Sequence, residues 1–64
     1  MDAVEKKHLG LVRKAKEAVY AIKHNDEASI DQRIDGLTEV SGLIVDSVID
    51  LNTEDFTGVG ENEN

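Results

Sequence analysis

The sequence predicts an all-α fold: an antiparallel two-helix hairpin that assembles as a dimeric four-helix bundle or a higher helical oligomer. Apolar residues recur at spacings of three and four along two segments of nearly equal length, the pattern of helices with one apolar side. A short polar linker joins these segments, so the helices must fold back on each other. Proline, which would interrupt a helix, is absent.

The first helix is expected over residues 2–24. Asp2 and Glu5 lie in its first turn and Lys23 and His24 in its last, the charge arrangement that the helix dipole favours. Val12 and Val19 widen its apolar side. The main apolar row consists of Val4, His8, Leu11, Ala15, Ala18 and Ile22.

A turn is expected over residues 25–28 and the second helix over 29–52. Ser29 and Gln32 have the spacing of a capping box, in which each side chain bonds the other residue's backbone N–H. Beyond this helix, residues 53–64 are polar and acidic, which predicts a flexible tail. The apolar row of the second helix consists of Ile30, Ile34, Leu37, Ser41, Ile44, Val48 and Leu51.

The chain's 64 residues allow at most one small domain. A single core of this size rarely supplies more than about 3–5 kcal/mol. There is no cysteine, so disulfides cannot compensate. We therefore expect the hairpin to associate with itself or with another protein.

The expected interface lies at the open end of the hairpin, the end away from the turn. If the chain turns near residue 26, residue 9 is level with about residue 44, and Gly10 lies near the level of Gly42. The two glycines then mark either a close approach of the helix backbones or neutral positions in a dynamic helix. The residues expected to drive association are Leu9, Val12, Val40, Leu43, Val45 and Ile49.

Charge is unevenly divided along the chain, whose net charge is −7. Residues 1–24 carry six basic and three acidic side chains, whereas residues 25–64 carry one basic and eleven acidic ones. The first helix could therefore bind nucleic acid locally, although the acidic whole repels it at long range. The residues of this basic face are Lys6, Lys7, Arg13, Lys14 and Tyr20.

The architecture resembles that of the Rop family of small plasmid proteins, whose paired hairpins bind RNA loops through one helix face. The likeness covers chain length, two equal helices and an acidic tail that contains glycine. It is a likeness of shape without matching residues, so no functional residue is carried over. What it implies is an RNA-binding bundle as the alternative function.

Catalysis and metal binding are not expected. No nucleophile elbow, phosphate loop or zinc-ligand spacing occurs. Glu5 and His8 have the Glu-x-x-His spacing of di-iron bundles, but Asp46, the nearest acid of the second helix at that level, is expected to point outward. We therefore expect no catalytic residue, no metal and no cofactor.

The sequence thus favours a non-enzymatic regulatory or adaptor protein that self-associates and binds a protein partner. An inhibitor, an antitoxin-like protein or a phage-type accessory protein fits its small size and acidity. A third hypothesis is an oligomer that binds a small anionic ligand between subunits. No apolar segment is long enough for a signal peptide or a membrane span, so a cytoplasmic protein without membrane contact is expected.

Overall fold

The computed structural model describes residues 2–63, with side chains through residue 54. Helix α1 spans Ala3–Lys23 and helix α2 spans Ile30–Glu63, and they pack against each other. Outside the two helices, the described residues form the N-terminal cap and the turn, and none of them is in a strand. The predicted all-helical hairpin is confirmed.

Helix α1 begins and ends within one residue of its predicted bounds. At its start, a carboxylate oxygen of Asp2 accepts a hydrogen bond from the Glu5 N–H at 2.8 Å. This bond satisfies one of the four N–H groups that a helix leaves without an internal partner. At its end, the His24 N–H still donates to the Tyr20 carbonyl at 2.9 Å, and the chain then leaves the helix.

Helix α2 begins with the predicted capping box. The Gln32 N–H donates to the Ser29 Oγ at 3.0 Å, and the Ser29 N–H donates to the Gln32 Oε1 at 2.9 Å. The two residues therefore satisfy each other's free N–H groups and fix the point at which α2 starts.

The turn is held by Arg33, a residue that the sequence pattern did not single out. Its Nε donates to the Ala28 carbonyl at 3.1 Å, and its Nη1 donates to the Lys23 carbonyl at 3.3 Å. Lys23 is the last residue of α1, where carbonyls lack helical partners. One guanidinium on α2 therefore ties the end of α1 and the turn to the start of α2.

Helix α2 continues to Glu63, past residue 52, where the sequence places its end. The prediction stopped at the last residue of the apolar row. Helical hydrogen bonds need no apolar side, however, and no proline follows Leu51 to interrupt them. Side chains from residue 55 onward lie outside the described part of the chain, and the predicted flexibility of residues 53–64 stays a prediction.

The two helices form a single flat layer. The Cα atoms extend over 54 × 29 × 8 Å, and the smallest extent is the thickness of one helix. Two helices packed side by side over their whole length would span only about 15 Å across, given axes about 8–10 Å apart. The helices therefore diverge away from the turn.

Replacing Arg33 tests the importance of the turn contacts. We expect Arg33→Ala to lower the free energy of unfolding by about 1 kcal/mol, because two carbonyls lose a charged donor at a partly exposed site. Arg33→Lys, which keeps the charge but loses the two-pronged donor, should recover only part of the loss. Urea unfolding followed by circular dichroism at fixed chain concentration measures both, and an unchanged midpoint for Arg33→Ala would contradict this role.

Replacing Ser29 tests the capping box. Ser29→Ala should cost about 1 kcal/mol, because the Gln32 N–H loses its acceptor. The matched control is Ser47→Ala, the same change in the interior of α2 at an exposed position outside its apolar row, where alanine is the better helix former. Thermal unfolding of both variants at one concentration compares them. Equal effects of the two changes would show that the cap contributes nothing.

Candidate association surface

The hairpin has no interior of its own. Among the described side chains, none is buried, whether apolar or polar. Among the large apolar residues that are open to solvent, the exposed fraction ranges from 45% for Leu9 to 78% for Val4. The large exposed apolar residues are Val4, Leu9, Leu11, Tyr20, Ile30, Ile34, Leu43, Ile44, Val45, Val48, Ile49 and Leu51.

The contact between the helices is concentrated near the turn. A Cβ added to Gly36 would lie 3.6 Å from the Cγ2 of Ile22, so the α2 backbone runs directly beside that isoleucine. Val19 on α1 and Leu37 and Val40 on α2 are half-buried in the same region. Sequence reasoning missed Gly36. The available signal was a glycine directly before Leu37, a residue of the apolar row, because a glycine there allows another helix to approach closely.

Where the helices diverge, an open groove of about 400 Å³ separates them. One wall comes from α1 and the other from Ile44 of α2. The aliphatic groups of Val12, Ala15 and Val19 are joined on the α1 side by Lys16 and Tyr20. The groove is thus an almost wholly apolar channel, to which Lys16 and Tyr20 contribute mainly carbon atoms.

The register of the hairpin differs from the expected one. Gly36 lies beside Ile22, and Ile44 shares the groove with residues between Val12 and Tyr20. Residue 44 is therefore level with the middle of α1 and not with residue 9. The observed turn, residues 24–29, has the same centre as the expected one, so the difference lies in how far α2 is displaced along α1.

The expected pairing of Gly10 and Gly42 is not found within one chain. A Cβ added to either glycine would meet no atom within 4 Å. Both glycines lie outside the short contact near the turn, in the region where the helices have moved apart. The close approach that does occur within the hairpin is at Gly36.

The six residues expected to drive association fall into two groups, half-buried and exposed. Val12 and Val40 are half-buried, and Val12 lines the groove. The other four remain open to solvent, with exposed fractions of 45% for Leu9, 67% for Leu43, 52% for Val45 and 55% for Ile49. Association of these four with another surface remains a prediction.

The basic face of α1 is also exposed. Lys6, Lys7, Arg13 and Lys14 are open to solvent, and Tyr20 has 58% of its surface exposed. Tyr20 also lines the groove. It is therefore shared by the basic face and the apolar channel, an overlap that the sequence pattern did not predict.

Within the described side chains, no group of three or more His, Cys, Asp and Glu residues is placed to hold a metal ion. Over the same part of the chain, neither helix has the length and hydropathy needed to cross a bilayer.

The surface is thus defined by geometry alone. Comparison of the chain with protein-family models, curated proteins and solved structures finds no match.

Proposed function

We propose that the chain is a non-enzymatic regulatory or adaptor protein that acts by association. Two copies pair into a four-helix bundle, and the assembly binds a protein partner through the apolar open end or the acidic side of α2. The observation that carries this proposal is the absence of any buried side chain in the described part of a chain with twelve large exposed apolar residues.

The energetics support pairing. Burying a side chain the size of valine or leucine contributes about 1.5–3 kcal/mol to stability. A lone hairpin gains little of this free energy, because none of its described side chains is buried. Large exposed apolar patches on small proteins mark interaction sites. A second layer laid on the first would cover the groove and the apolar rows beside it together, which a lone layer cannot do.

The exposed acidic side chains of α2 support the second part of the proposal, the binding of a protein partner. Between residues 30 and 54, α2 carries six acidic side chains and one basic one, and its acidic residues are exposed. Charges at the rim of an interface speed encounter and select partners more than they add affinity. This side of α2 therefore favours a partner with a basic patch.

Introducing a charge at the open end tests the proposal. Val45→Asp should weaken self-association at least tenfold, because it removes a valine contact and buries a carboxylate in an apolar interface. Thr53→Asp adds the same charge on the polar side of α2 and is the matched control. Sedimentation equilibrium over a concentration series measures both variants against the unmodified chain. A monomeric unmodified chain that stays helical on dilution would refute the proposal.

Nucleic-acid binding is the alternative function, and the exposure of all five basic-face residues favours it. Arginine and lysine bind phosphates, and an exposed tyrosine offers a ring on which a base can stack. The third hypothesis, a small anionic ligand between subunits, concerns clefts that a single chain does not contain, and it stays a prediction.

Reversing the charge of the basic face separates this alternative from protein association. In a filter-binding assay with a labelled RNA hairpin, affinity should fall steeply with salt and be lost when Lys6, Arg13 and Lys14 are changed to glutamate. Val45→Asp, which leaves these cations intact, is the control for general loss of assembly. RNA binding that survives the triple change would exclude the basic face as the binding site, and no binding at low salt would exclude this function.

A further inference from the structure

The two helices carry opposite net charge. Helix α1 has six basic and two acidic side chains. Between residues 30 and 54, α2 has six acidic side chains and one basic one, Arg33, which is engaged with the turn carbonyls. The flat hairpin is therefore a layer with a positive and a negative strip side by side.

Two such layers can stack face to face in two symmetric ways. If the two turns lie at the same end, α1 of one copy lies over α2 of the other. If the turns lie at opposite ends, α1 lies over α1 and α2 over α2. Both arrangements have two-fold symmetry and bury the same face of each copy, so apolar burial alone does not choose between them.

Charge distinguishes the two arrangements. With turns at the same end, every neighbouring pair of helices combines a positive with a negative helix. With turns at opposite ends, two positive helices and two negative helices are neighbours. Axes of packed helices are about 8–10 Å apart, which is about one Debye length at physiological salt, so charges on neighbouring helices still interact.

We propose that a second copy of the chain covers the groove between α1 and α2 with its turn at the same end, so that α1 of each copy packs on α2 of the other. This inference rests on the self-association proposed above and specifies its geometry. The arrangement follows from the charge on the two helices and the flatness of the layer.

The groove fits this occupant. Its α1 wall presents Val12, Val19 and Tyr20, against which the apolar row of the partner's α2 can pack. Lys16 also lines the groove, and its ammonium group would then lie next to the acidic helix of the second copy. The same contact forms twice in the dimer.

The distance between the turns of the two copies distinguishes the same-end from the opposite-end arrangement. The chain contains no cysteine, so Asp26→Cys places a single spin label at the exposed turn of each copy. In the same-end arrangement the two labels should lie within about 25 Å, because the helix axes are about 8–10 Å apart and the labels add their own length. In the opposite-end arrangement they are separated by at least the length of α1, about 31 Å for its 21 residues.

Ser47→Cys provides the matched control. Ser47 lies eleven residues past Gly36, which is beside Ile22, so it is level with about the middle of α1. A label there gives a short distance in either arrangement and shows that a dimer is present. Both distances are read by pulsed dipolar electron paramagnetic resonance at a concentration where sedimentation shows the assembled species.

Each outcome is informative. Short distances at both sites support the same-end dimer. A short distance at Ser47→Cys with a long one at Asp26→Cys overturns the same-end arrangement but leaves self-association intact. Absence of any dipolar coupling at both sites, together with a monomer mass, overturns self-association and this inference with it.

Discussion

A layer only one helix thick leaves both of its broad faces in water, and this constraint governs the rest of the structure. With Cα atoms confined to 8 Å in one direction, a side chain can be covered only by its own helix and by the single neighbouring one. Ile22 and Leu37, which lie at the contact between the helices, are consequently only half-buried. Domains avoid this by stacking at least two layers around a core. This chain supplies one layer, and in the proposed dimer the second layer comes from a second copy.

The hairpin is positioned mainly by polar contacts close together in the sequence. Ser29 and Gln32 set the first residue of α2, and Arg33 joins the turn to the last carbonyls of α1. These bonds act at the turn and cannot hold the far ends of two helices together. The divergence of the helices follows, and it creates the groove at Ile44. Strong local bonds at one end and weak packing at the other thus leave the helices able to accommodate a second copy.

The sequence predicted what depends on local chemistry and periodicity. Ser29 and Gln32 form the expected capping box, because such a cap is made by residues only three positions apart. Asp2, expected inside the first turn, is instead the N-cap residue of α1. The register was wrong because it depends on how far α2 is displaced along α1, which the spacing of apolar residues does not specify. Gly36 and Lys16 were missed as members of the contact and the groove because the apolar pattern does not show which side of a helix faces its neighbour. The end of α2 lies beyond the apolar row because helical hydrogen bonding continues where amphipathicity stops.

Net charge and local charge act on association in opposite directions. A dimer doubles a charge of −7, and this opposes pairing through the self-repulsion of the whole assembly. At physiological salt, interactions beyond about 8 Å are screened, so repulsion between the two α2 helices, which lie diagonally across the proposed bundle, is reduced more than attraction between neighbouring helices. At low salt the screening length grows to about 30 Å and the repulsion reaches across the bundle. In the proposed dimer, apolar burial therefore supplies the affinity, the alternation of charged helices selects the arrangement, and moderate salt permits both to act.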